Sequence, residues 1–208
     1  MNLSPRWLTD HDAGHSEWYI ERFRRMAAEG KDLAGEARFL DAMLPRASRI
    51  LDAGCGPGRV SGELAARGHE VVGVDVDPEL IAAARTDHPG PRWIVADLAG
   101  LDLSSLGEPE PFDAAVLAGN VLAFVAPSSE PAVLARVARH VRPDGVVVVG
   151  LGLERGYPTA DMDRDAARAG LVLEHRFGTW DLRPFTADSD FAVSVYRVPT
   201  SPSAPTTS

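Results

Sequence analysis

From Arg49 onward, short apolar runs alternate with longer segments whose apolar positions recur at helical spacing. Arg49–Ala53 is a strand too short to be a helix, and Glu70–Val74 is continuous and β-branched, as a buried parallel strand should be. Arg59–Arg67 reads as a helix stopped by Gly68 at C′, and Pro78 opens another that runs to about Asp87. Trp93–Val95 and Phe112–Leu117 follow as strands. Pro131–Val141 is then a helix, Arg142-Pro143-Asp144-Gly145 a turn, and Val146–Gly150 a strand. A helix over Thr159–Ala169 ends at Gly170, and Leu171–Phe177 and Asp190–Val198 are two late strands joined by a loop. Strands alternating with helices predict an α/β fold with a doubly wound sheet and helices on both faces. A closing hairpin makes the last strand antiparallel.

The ends read differently. Gly14–Glu29 is amphipathic, with Ile20, Phe23 and Ala27 on one face and Ser16 as N-cap, and a second helix over Leu33–Leu44 stops before Pro45. Residues 199–208 are Pro, Ser, Thr and Ala alone, too little apolar surface to offset ordering entropy, so a disordered tail is expected there. The expected division is an N-terminal helical segment over 1–48, a wound domain over 49–198 and the tail.

Composition narrows the class. At 208 residues the chain suits one domain, large enough to bury a core without staples. Cys55 is the single cysteine, which excludes an internal disulfide and a Cys-rich zinc site. A net charge of −9 argues against a broad phosphate-binding surface, so no nucleic-acid partner is expected. The longest apolar stretch, Ala114–Ala126, falls short of the roughly 20 residues that span a membrane. The first residues lack the pattern of a secretory signal. A cytoplasmic protein, monomeric or homodimeric, is expected.

The chemistry is concentrated in Leu51-Asp52-Ala53-Gly54-Cys55-Gly56-Pro57-Gly58, which leaves a strand, turns through three glycines and enters a helix. The dinucleotide fingerprint needs a third glycine where Arg59 stands, and Pro57 removes an N–H that a pyrophosphate would use. The loop therefore suits a ligand without phosphates. Asp75 ends the second strand, where an acid can accept both hydrogens of a ribose diol, and Asp97 follows the third, where it can accept from an adenine amino group or merely close a turn. Asp77 before Pro78 reads as a helix N-cap, and Cys55 as a small filler.

The run Ile50–Gly58, Asp75, Asp97 and the Arg142–Gly145 turn together resemble the cofactor motifs of class I S-adenosylmethionine-dependent methyltransferases of the small, single-domain bacterial type. The resemblance spans about Glu36 to Val198. It implies a Rossmann-like seven-stranded sheet with the last strand antiparallel. It also implies that Gly54, Gly56 and Gly58 pass beneath the methionine part, that Asp75 holds the ribose and Asp97 the adenine, and that Asp52 orients the loop. Cys55, Val76, Ala96, Leu98 and Gly119 complete the expected cofactor-lining set. The N-terminal helix would cover the cofactor, with Tyr19 or Arg22 on its carboxylate or simply on the helix surface.

Acceptor-facing candidates are Asn120 after the fourth strand, and Arg155 and Tyr157 in the loop after the fifth. Asn120-Val121-Leu122-Ala123 departs from the Asn/Asp-Pro-Pro-aromatic motif of some nucleobase and amide methyltransferases. No histidine forms a recognisable base motif, and the absence of an acidic triad after the fourth strand leaves no metal expected. The expected activity is methyl transfer from S-adenosylmethionine to a small molecule. A non-catalytic binding module and, with less support, an NAD-dependent oxidoreductase are the alternatives.

Overall fold

β-branched runs that have no polar alternation must be covered on both faces, and the central strands of a seven-stranded sheet meet this requirement, while the edge strand over Val172–Phe177 is largely exposed. A computed structural model describes residues 4–200. Its strands are β1 (Arg49–Ala53), β2 (Glu70–Asp75), β3 (Arg92–Val95), β4 (Phe112–Leu117), β5 (Val141–Gly152), β6 (Val172–Phe177) and β7 (Phe191–Arg197). They form one sheet in the order β3-β2-β1-β4-β5-β7-β6, with β7 antiparallel to both of its neighbours. The order reverses between β1 and β4, so the loops after these two strands part and leave a crevice.

The helices are α1 (Arg6–Thr9), α2 (His15–Ala28), α3 (Gly35–Met43), α4 (Arg59–Ala66), α5 (Pro78–Asp87), α6 (Val121–Phe124), α7 (Glu130–Arg139) and α8 (Thr159–Arg168). Side chains that alternate along the strands feed two cores. Leu51, Ala115, Leu117 and Val149 pack with Val133 and Val137 of α7 and Met162 of α8. Ile50, Val116 and Val148 pack on the other face with Leu40 of α3 and Leu64 of α4. Each fully buried Leu or Ile contributes roughly 1.5–3 kcal/mol. The sheet is thereby a rigid floor for the loops at its carboxyl edge.

Three local expectations are corrected. Arg142–Gly145 is not a turn ahead of the strand but part of β5, where the pairing with β4 shifts register and Asp144 takes φ +64°. The ladder passes from Phe112–Val141 straight to Ala114–Val146, so three extra residues of β5 are absorbed as a bulge, and Asp tolerates the left-handed region that it needs. Ser16 does not cap α2: Gly14, at φ +88°, takes that position, and the Ser16 hydroxyl is drawn to Asp77. The α7 helix ends at Arg139, with Val141 already in β5. The expected tail lies, from residue 201 on, outside the described residues.

Candidate active site

The loop after β1 is tied down from below, with Gly54 N and Cys55 N donating to Val74 O at 2.7 and 3.0 Å. Its three glycines sit at φ +83°, +54° and +85°. Two are required by their surroundings: a Cβ on Gly54 would stand 2.5 Å from Val121 Cγ2, and one on Gly58 would stand 2.5 Å from Trp93 Cη2. Gly56 differs, since a Cβ there would meet only Tyr19 Cε1 at 3.7 Å. Its missing side chain leaves bare backbone on a cavity of about 100 Å³ that Gly54, Gly56 and Pro57 line.

Three carboxylates stand in the wall of this cavity. Asp52, next to the carboxyl end of β1, is 1% exposed and accepts from Ser61 Oγ at 2.6 Å; burial pushes its pKa up to about 6. Asp75 ends β2 and accepts from Gly56 N at 2.8 Å and from Asp77 N at 3.0 Å. Burial pushes its pKa too up to about 6. Asp97 accepts from Ala99 N at 3.0 Å and so caps a short 3₁₀ turn, as its plain structural reading expected, while also facing the cavity.

An aromatic cover closes the other side. Trp7, Tyr19, Phe23 and Phe124 line the cavity, and Trp7 packs edge-on to Tyr19 and Phe124 with centroids 5.2 and 5.6 Å apart. Trp7 also touches His11 and His15, whose rings stack at 3.7 Å. Asp77 fastens this segment: Oδ2 accepts from Trp7 Nε1 at 2.8 Å and from Ser16 Oγ, while Oδ1 accepts from Glu79 N at 2.8 Å and caps α5. Burial raises the Tyr19 hydroxyl above its ordinary pKa.

Of the residues expected from sequence, Asp52, Gly54, Cys55, Gly56, Asp75, Val76, Asp97, Leu98, Gly119 and Tyr19 share this cavity. Gly58 supports it from beneath, against Trp93. Cys55 packs with Ile81, Ala84 and Trp93, and burial pushes its thiol up. Ala96 only pairs its N–H with Asp75 O and does not reach the wall. Arg22 turns aside, its guanidinium carbon 5.7 Å from both the Trp18 and Phe23 rings.

The acceptor-facing candidates fare worse. Tyr157 is 8% exposed and donates to Asp165 Oδ2 at 3.0 Å, so it belongs to the core under α8. Asn120, at φ +65°, accepts from Gly152 N at 2.6 Å and ties the ends of β4 and β5 together. Arg155 stands outside the wall, 6.0 Å from the centre of the Phe124 ring. Arg59, by contrast, lines the cavity, although in the sequence it stands out only as the first residue of a helix and as the break in a dinucleotide fingerprint. Its place directly after the third glycine, opening the helix beside the cavity, is the available signal. Among the described residues there is no cluster of three or more metal-donor side chains, and no helix long and apolar enough to cross a membrane.

A glycine cradle without a phosphate site, an acid at the tip of β2, and a seven-stranded sheet closed by an antiparallel strand define a class. The chain belongs to the S-adenosylmethionine-dependent methyltransferases. A TehB-like SAM-dependent methyltransferase from Corynebacterium glutamicum is 45% identical, with a TM-score of 0.84 over 89% of this chain and 99% of the other. The methyltransferase domain family matches residues 50–145. Trans-aconitate 2-methyltransferase of Methylobacterium nodulans is 32% identical over 138 residues, 64% of this chain and 49% of that one. An N,N-dimethyltransferase of a dTDP-amino sugar from Streptomyces fradiae is 33% identical over 126 residues, 58% and 48% of the two chains. The chain spans about half the length of the curated relatives that it matches.

Proposed function

We propose that the protein transfers a methyl group from S-adenosylmethionine to a small-molecule acceptor by in-line displacement. The observation that carries this reading is the cavity itself, whose wall joins the bare Gly56 backbone to the Asp75 carboxylate, the two hydrogen-bonded at 2.8 Å. Relatives named for methylation of trans-aconitate and of a dTDP-amino sugar support a small acceptor.

S-adenosylmethionine supplies an activated methyl group on a sulfonium. The chain's own residues bind, orient and exclude water. The glycine loop admits the methionine part. Asp75 would accept from the ribose hydroxyls, and Asp97 and Leu98 would frame the base. The segment that carries α1 and α2 serves as the cap, in which Trp7, Tyr19 and Phe23, with Phe124 of α6 beside them, keep water from the reacting centre. We place the protein in the cytoplasm, with no metal, nucleic acid or membrane in its reaction.

Calorimetric titration with S-adenosylhomocysteine, NAD serving as the comparison, tests the cofactor. Labelled methyl transfer to a panel of small carboxylic acids and amino sugars tests turnover. Binding of S-adenosylhomocysteine alone is expected. NAD binding in its place would overturn the reading, and tight S-adenosylhomocysteine binding with no transfer across the panel would favour a non-catalytic module.

A further inference from the structure

Arg59 is the one cation in the cavity wall among the described residues, where the other charged groups are Asp52, Asp75 and Asp97. A ligand carrying an anionic end meets like charge elsewhere in that wall, and Arg59 is where such an end can settle. The guanidinium is engaged on one side only. Nη1 donates to Leu33 O at 2.5 Å and to Glu36 Oε2 at 2.8 Å, and Nη2 donates to Glu36 Oε1 at 2.5 Å.

A guanidinium has five N–H donors. The Nε–H and the second Nη2 hydrogen have no partner among the described residues, and Nε is not one of the unpartnered atoms sealed inside the protein. Those two hydrogens form the edge of the fork that meets a carboxylate in two parallel bonds. The plane is already fixed: Glu36 holds the far end, and the Phe23 ring lies 5.3 Å from Cζ. Little side-chain freedom remains to be lost when a carboxylate arrives.

We propose that Arg59 receives the α-carboxylate at the amino-acid end of the cofactor, with Glu36 as the residue that positions it. This rests on the S-adenosylmethionine reading above and takes the role expected of Arg22, which turns away from the cavity. One ligand pair separates the claim from a general structural role. S-adenosylhomocysteine carries the amino-acid end, whereas 5′-methylthioadenosine keeps the adenine, ribose and sulfur without it.

Calorimetry on the wild type, Arg59→Met, Arg59→Lys and Glu36→Gln reads the preference between the two ligands within each protein. Arg59→Met is expected to lose about tenfold or more in affinity for S-adenosylhomocysteine, while 5′-methylthioadenosine changes by less than about twofold. Arg59→Lys, which keeps the charge without the fork, recovers part of the preference, and Glu36→Gln loses part of it with the guanidinium still present. An Arg59→Met protein that loses both ligands alike, or neither, overturns the proposal; the former is the mark of a damaged fold. Wild-type protein that binds neither ligand would instead defeat the cofactor reading from which the proposal starts.

Discussion

Trp7 and Asp77 lie 70 positions apart and meet through a 2.8 Å hydrogen bond from the indole Nε1 to Oδ2. The bond joins the N-terminal cover to the end of the loop that follows β2, so the strap across the cavity and the strand tip beneath it are one unit. Burial opposes the charge on Asp77, yet the donors Ser16 and Trp7 prevail and hold its pKa below the usual carboxylate value.

Trp7→Phe keeps the ring and removes the donor to a charged acceptor, a loss of about 1.5–3 kcal/mol that falls on the closed strap. The expected outcome is faster release of S-adenosylhomocysteine, by roughly tenfold, with the denaturation midpoint little changed. Stopped-flow fluorescence measures the release. An unchanged rate would mean that the strap does not gate the cavity.

Asp75 carries a pKa of about 6 and must be ionised to accept both ribose hydrogens. Affinity for S-adenosylhomocysteine should therefore fall as pH drops through about 6 and level off above 7. Asp75→Asn should weaken binding at pH 8 by about tenfold and leave a flatter pH profile. Calorimetry at pH 5 and pH 8 on both proteins decides it, and parallel profiles would assign the titration to another group.

Asp52 has its folded pKa raised, from 3.8 to about 6, by burial. The native state then holds this proton more tightly than the unfolded chain does. The contribution to stability is complete below about pH 4 and is lost as pH rises through about 6, for a total of about 2–3 kcal/mol. Asp52→Asn, which can still accept from Ser61, removes this dependence. Melting temperatures at pH 5 and pH 8 should show the variant gaining on the wild type at the higher pH.

The three glycines should not respond alike to alanine. Gly58→Ala forces a Cβ against Trp93 at a positive φ and should cost about 2–4 kcal/mol in urea unfolding. Gly56→Ala meets no close neighbour and should cost only about 1 kcal/mol, from φ alone. The methyl group of this second variant intrudes on the cavity, so S-adenosylhomocysteine affinity should fall sharply. Equal stability losses with binding retained in Gly56→Ala would refute the division of labour.

The strands and central helices were legible because each is a local pattern: β-branched runs such as Val71–Val74, and helices punctuated by Gly68, Pro78 and Gly170. Asp75 and the glycine loop were legible because their spacing is fixed by the strands that carry them. What the pattern missed depends on long-range contact. The Arg142–Gly145 run has ordinary turn chemistry and bulges out of the β4 ladder, held in β5 by Val198, which accepts from Asp144 N and donates to Gly145 O. Tyr157 sits in a glycine-flanked segment that reads as solvated, yet Asp165 draws it inward. Arg22 and Arg59 exchange places as candidates because helical period fixes which residues share a face and not where that face points.

Cys55 also bears on how motion in the loop can be followed. Its sulfur is the only thiol in the chain, it is packed against Trp93 and Ile81, and burial keeps it protonated. That burial slows its reaction with a disulfide reagent in solution until the glycine loop lifts from its bed. The rate at which native protein consumes such a reagent then counts those openings directly, and a cofactor resting on the loop should slow the count in proportion to its occupancy.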